Sequence, residues 1–321
     1  MIKPEEFLKE IQLAESRIRP RIRETILEHS LYLSRQSDAN VYCKLENLQY
    51  TGSFKTRGAM NKVLSLTPEE QKRGVVTAST GNHGAAVAFS LNKLNASGII
   101  FVPEIASPNK VEGIRRLGAE VRFFGQDCVE AEAHARQYAS ENQMTYISPY
   151  NDLQVAAGQG TIGVELASQL DMIDAVFVSL GGGGLISGIA GYLKSVHPDV
   201  KLVGCSPENS QVMIQSVKAG KILDLPSLPT LSDGTAGGLE PGAITFELCQ
   251  ALVDDYMTVT EDEIKESLLL FMQTHHMMIE GAAGVAVASF LKMKEQYKGK
   301  NVVIIICGAN ISLEVLKSIL R

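Results

Sequence analysis

Lys55 is the first residue whose surroundings suggest chemistry. It lies in "YTGSFKTRGA", residues 50–59, after a glycine turn and at the start of a helical pattern. A helix N-terminus disfavours an ammonium and favours the neutral, nucleophilic amine, and burial acts in the same direction. The alternative is an ordinary solvent-facing helix lysine. "SLGGGGLISG" (179–188) places Gly181, Gly182, Gly183 and Gly184 between an apolar run and a helical one, followed by Leu185. Such a turn exposes backbone N–H groups to an anion such as phosphate, or is simply a tight turn. No Lys-Ser/Thr follows, so it is not a Walker loop, and the dinucleotide spacing with its later acid is absent. "TASTGNHG" (77–84) repeats the arrangement with Ser79, Thr80, Asn82 and His83. These residues could cradle a carboxylate, or could merely cap the following helix. His83 is a candidate base, although a lone histidine is more often structural. "ICGAN" (306–310) ends an apolar run at Cys307, which is either a group facing the same crevice or a core cysteine.

The elements that must position these residues alternate. Strand patterns fall at 74–79, 98–103, 119–125, 174–180, 201–207 and 301–308; helical patterns fall at 82–94, 107–118, 127–142 and 186–196. Strands that are apolar almost throughout, alternating with helices, predict parallel sheets covered on both faces. The expected class is therefore α/β, with two doubly wound parallel-sheet domains. Residues 74–146 form the expected small domain. Residues 1–73 and 147–321 form a discontinuous large one. Ligands in such folds bind at the carboxyl ends of the strands.

Composition narrows the function classes. The 321 residues are 45% hydrophobic and 21% charged, with a net charge of −6. That balance argues against nucleic-acid binding and against adhesion to anionic membranes. Five scattered cysteines without a CxxC pair do not suggest a disulfide framework or a zinc site. The first residues form a charged helical pattern rather than a secretory signal, and no apolar run is long enough to span a bilayer. The expected compartment is the cytoplasm.

Taken together, "SFKTRGA", "STGNHG", "GQGTIGVEL" (158–166), "GGGGLISG" and "CGAN" stand in an order and spacing that resemble the fold-type II pyridoxal 5′-phosphate (PLP) enzymes, the tryptophan synthase β-like fold. The nearest resemblance is to threonine/serine dehydratases and serine racemases, and it covers essentially the whole chain. The resemblance implies that Lys55 is the lysine joined to the cofactor aldehyde, with Phe54 beside the ring. It implies that Asn82 meets the ring hydroxyl, Gly181–Gly184 and Leu185 hold the phosphate, and Cys307 meets the ring nitrogen, where many relatives have serine. Ser79, Thr80, Asn82 and His83 would receive the substrate carboxylate. Gly237 and Gly238 in "DGTAGGLE" (233–240) would line the site, with Gln159 and Gly160 behind it.

The implied reaction is loss of water and ammonia from a 3-hydroxy L-amino acid, threonine or serine, giving a 2-keto acid. A neutral thiol at Cys307 would make a weaker electron sink than a carboxylate and favour prompt β-elimination. Thr80 stands where serine racemases have a serine acting as the second acid/base, which reduces racemisation without excluding it. Ser206 and Val212 stand where metal-activated relatives carry acids, so no metal is expected, with Glu208 nearby as the one reservation. The chain ends at Arg321, soon after these motifs, so isoleucine feedback is not expected. The segments 148–161 and 232–249 are more similar to dehydratases of hydroxyectoine utilisation, which points to a 3-hydroxy amino acid with another side chain. Racemase is the alternative within the superfamily. A cysteine-synthase-type enzyme fits less well, because Arg57 and "STGNHG" resemble dehydratases. A nicotinamide oxidoreductase lacks its fingerprint, and a non-catalytic sensor would not need Lys55. The resemblance also implies a homodimer acting on a small-molecule amino acid.

Overall fold

The fold is described from a computed structural model, covering residues 2–320. Helix α1 (Pro4–Ile18) leads into β1 (Leu27–His29), α2 (Leu31–Ser37) and β2 (Asn40–Leu45), then α3 (Lys55–Ser65) and α4 (Pro68–Arg73). Next come β3 (Val75–Ala78), α5 (Asn82–Leu94), β4 (Gly98–Val102), α6 (Pro108–Arg116), β5 (Glu120–Phe123), α7 (Cys128–Glu141) and β6 (Thr145–Tyr146). The chain continues through α8 (Leu153–Gln169), β7 (Ala175–Ser179), α9 (Gly184–Val196), β8 (Lys201–Pro207), α10 (Val212–Ala219) and α11 (Ile244–Leu252). It ends with β9 (Asp255–Val259), α12 (Glu261–His275), α13 (Gly281–Met293), β10 (Asn301–Ile306) and α14 (Leu313–Ile319).

The strands form two sheets, ordered β1-β2-β10-β7-β8-β9 and β5-β4-β3-β6. Every pairing is parallel except β1 with β2. That antiparallel edge departs from the all-parallel expectation. Strand β1 is short and only partly buried, so it carries no apolar run to read. The central strands read as continuous apolar stretches because both faces are covered: β7 is buried at all five positions. Helix α13 is buried at eleven of its positions, which is why small residues fill "GAAGVAVASF". Packing there rests on apolar burial worth about 25 cal/mol per Å².

The carboxyl ends of β3, β7 and β10 carry the three turns singled out above. Each of β3 and β7 feeds directly into a helix N-terminus. Among the described residues, no helix is long and apolar enough to cross a membrane.

Candidate active site

The loop bearing Lys55 is pinned to the end of β10. Phe54 N–H donates to Cys307 O at 3.0 Å, Ala309 N–H to Gly52 O at 2.9 Å, and Ser53 bridges Gly308. Gly52 has φ +72°, and a Cβ there would stand 3.2 Å from Asn310 Oδ1. Lys55 is therefore delivered as the first residue of α3, directly beside Cys307 in space. Its Nζ donates to Pro149 O at 2.7 Å and lies 5.2 Å from the centre of the Phe54 ring. Burial lowers the pKa of this amine to about 8, against the opposing pull of Glu280 and Cys307. Burial is thus the leading cause of its lowered basicity.

At the end of β3, Ser79 Oγ accepts from Gly81 N–H at 3.1 Å, so Ser79 shapes the turn. Among the described residues, nothing bonds the Thr80 hydroxyl. Asn82 Nδ2 donates to both oxygens of Glu280, at 3.1 and 2.9 Å, and Asn82 Oδ1 accepts from Asn310 Nδ2. His83 is buried. Its Nε2–H donates to Ile147 O at 3.1 Å, leaving Nδ1 without a partner. Burial, then the Lys55 charge, pushes this imidazole down to about 3, so it is neutral at physiological pH. Gly84 is obligatory, because a Cβ would come within 2.3 Å of Ser79 O.

The glycine turn is packed as tightly. A Cβ on Gly181 would stand 2.8 Å from Thr235 Cα, and one on Gly182 would stand 2.3 Å from the Tyr150 ring. Gly183 has φ +84° and ends at the start of α9. No hydrogen bond among the described residues takes up the backbone N–H groups of Gly181 to Leu185, as expected for a turn entering a helix. Gly238 stands apart. It is exposed, and a Cβ on it would meet nothing within 4 Å. In that loop it is Thr235, rather than Gly238, that packs on the glycine turn.

Cys307 is fully buried. Its thiol donates to Glu280 Oε1 at 3.5 Å, and Ser179 Oγ lies 3.6 Å from the sulfur. Burial first, then Glu280, pushes the thiol well up, so it stays protonated. Burial likewise raises the Glu280 carboxyl above the usual carboxylate range. The structure thus gathers Asn82, Asn310 and Cys307 around Glu280, with Lys55 within reach of its charge and Phe54 beside Lys55.

Residues 18–308 match the family of pyridoxal-phosphate dependent enzymes. The chain belongs to that family. It is 40% identical over 314 residues to the L-threonine ammonia-lyase of Thermotoga maritima, covering 98% of this chain and 78% of that protein. It is 38% identical to a catabolic L-threonine dehydratase of Staphylococcus aureus, covering 98% and 92%. Among solved structures, the processed threonine deaminase isoform 2 of Solanum lycopersicum superposes with a TM-score of 0.94 at 34% identity, covering 98% and 92%. Maize serine racemase superposes with a TM-score of 0.91 at 30% identity, covering 98% and 96%.

As a PLP enzyme the chain offers the donor set its cofactor requires. The unpaired N–H groups of the glycine turn suit a phosphate dianion. A buried amine suits an aldehyde, and a protonated thiol suits a ring nitrogen. Glu280, which joins Asn82, Asn310 and Cys307, went unread in the sequence. The available signal was an acid directly before the almost wholly apolar "GAAGVAVASF", where no adjacent base accounts for it. Gln159 is buried behind the site and accepts from Gly58 N–H at 3.2 Å. Ser206 Oγ donates to Leu180 O at 2.7 Å and Val212 is buried. Among the described residues, no group of three or more His, Cys, Asp and Glu side chains could hold a metal ion.

Proposed function

We propose that this PLP enzyme is a threonine/serine ammonia-lyase, converting a 3-hydroxy L-amino acid to a 2-keto acid and ammonia. The observation that carries the reading is Lys55: a buried amine of lowered basicity, its Nζ bonded to Pro149 O, beside the Asn82–Glu280–Cys307 cluster. The names of the related threonine ammonia-lyases and dehydratases support the same reaction class.

In this reading the N–H groups of Gly181 to Leu185 hold the phosphate, Asn82 the ring hydroxyl and Cys307 the ring nitrogen, while Phe54 flanks the ring. Bound there, the cofactor supplies an aldehyde carbon and a conjugated ring that accepts the electrons left when the substrate's α-proton departs. Lys55 Nζ is the base that takes that proton. With a pKa of about 8, roughly one amine in ten is neutral at pH 7. The Ser79–His83 turn receives the substrate carboxylate through the N-terminus of α5. Neutral His83 adds no competing charge there. The protonated Cys307 would face the ring nitrogen with a neutral thiol rather than a carboxylate, which would favour elimination over slower side reactions.

Racemisation is the second reading, and the unbonded Thr80 hydroxyl favours it. A panel of L-threonine, L-serine, D-serine and 3-hydroxyaspartate, assayed for keto acid and for inverted enantiomer by chiral chromatography, separates the two. Keto acid from L-threonine or L-serine at rates well above inversion supports the lyase. Inversion without keto acid sinks it.

We further read residues 74–146 as the small domain and 1–73 with 147–321 as the large one, the cofactor lying between. Exposed Ile26, Leu31 and Tyr32, which flank β1 in the chain, support a homodimer. Sedimentation velocity at the monomer mass would contradict it. Five free cysteines suit the reducing cytoplasm.

A further inference from the structure

Behind Lys55 lies a charged cluster that the reaction itself does not use. Arg57 is fully buried, two positions after Lys55, and two helical steps of about 100° turn its side chain away from the crevice and into the protein body. Its guanidinium donates to Glu46 at 2.8 Å from both Nε and Nη2, and to Glu165 at 2.7 Å from Nη1 and 2.9 Å from Nη2. It also reaches Thr161 Oγ1 at 3.1 Å and Thr25 Oγ1 at 3.3 Å. Glu165 in turn holds Lys44 Nζ at 2.5 Å and Arg19 Nη2 at 2.8 Å. Two carboxylates and three cations are thus locked together beneath the first turn of α3.

The preceding loop is tied to the end of β10, and Thr56 Oγ1 meets Thr51 Oγ1 at 2.7 Å; the Arg57 pairs add a charged tie to Glu46, just after β2, and to Glu165 on α8. Phe54, at the N-cap, is already helical and offers no side-chain cap. On its far side α3 meets α8 backbone to backbone, since a Cβ on Gly158 would stand 2.6 Å from Gly58 Cα. Burying such a cluster contributes little net stability, because desolvation offsets the pairing. What the forked, two-point pairs do provide is a fixed orientation.

We propose that Arg57 is a positioning residue for Lys55: its double pairing with Glu46 and Glu165 sets the first turn of α3, and through it the place of Lys55 Nζ. The proposal rests on Lys55 being the cofactor lysine. A lysine at position 57 keeps the charge but cannot span both carboxylates.

The test uses the PLP-loaded full chain. Borohydride reduction followed by mass spectrometry of the Lys55 peptide reports attachment, and the visible absorption band of the bound cofactor reports its geometry. In Arg57→Lys the band is expected to shift or broaden and the fraction fixed to Lys55 to fall. kcat is expected to drop about 10- to 100-fold, the scale of a 1 Å misplacement, with KM within about threefold. If Arg57→Lys does not fold, Glu46→Gln, which keeps shape and removes one charge, is expected to show the same split in smaller measure. Arg57→Lys, or Glu46→Gln in its place, with an unchanged band and kcat overturns the proposal, whatever its melting temperature. A wild-type chain that borohydride does not fix at Lys55 overturns both this and the functional reading.

Discussion

Lys55, Cys307 and Glu280 divide the charge of the site among three groups that each resist ionisation. Burial lowers the lysine's proton affinity and raises that of the thiol and the carboxyl. The neutral amine is the nucleophile, so its share sets the rate at which cofactor attaches. Below about pH 8 that share grows tenfold per pH unit; above it the share saturates. Stopped-flow absorbance after adding PLP to cofactor-free protein is expected to show a rate that rises with pH and levels off near 8. A midpoint near the ordinary lysine value of about 10.4 would contradict the burial argument. Glu280→Gln keeps the shape but gives Asn82 an amide where it had two acceptor oxygens. The loss of a charge-assisted bond, worth about 1.5–3 kcal/mol, is expected to slow kcat by about 10- to 100-fold, read from steady-state kinetics.

The turns that carry these residues depend on missing side chains. Gly182→Ala drives a Cβ toward the Tyr150 ring, which is itself held by Glu240 N–H at 2.8 Å. Relief of that overpacking costs about 1–3 kcal/mol, or about 5- to 150-fold in PLP affinity by fluorescence titration. Much of this was legible in the sequence. The helix over 82–94 and the strand over 201–207 coincide with α5 and β8, because strong apolar periodicity leaves little freedom. Helix α9 begins at Gly184, two residues before the pattern predicted, because glycine reads as a breaker although the first helical turn needs no side chain. Strands β1, β2, β6 and β9 went unread: β1 and β9 are mixed in burial, β2 carries the charged Lys44 into the core, and β6 is only two half-buried residues long. Glu280 and the partners of Arg57 come from distant segments, and no local pattern joins residue 46 to 57 and 165.

The two sheets meet across the crevice through the loop 233–240. Lys110 on α6 reaches Asp233 at 3.8 Å, and Arg136 on α7 reaches Glu240 at 2.7 Å. Glu240 also accepts from Ser148 Oγ at 3.2 Å and Asn151 Nδ2 at 2.8 Å. Both lobes thus share one partly buried carboxylate beside the segment that holds Lys55 through Pro149. Glu240→Ala is expected to raise KM several-fold and to lower stability by about 1–3 kcal/mol, measured by denaturant unfolding of the loaded enzyme. An unchanged KM would place the pair outside substrate binding. The central claim, that Lys55 serves a PLP-dependent ammonia-lyase, is tested most directly by mixing the loaded chain with L-threonine and measuring 2-keto acid and ammonia together. The two are expected in equal amounts, and neither from Lys55→Ala. Equal turnover by Lys55→Ala, or no keto acid from the wild-type chain with either L-threonine or L-serine, would contradict it.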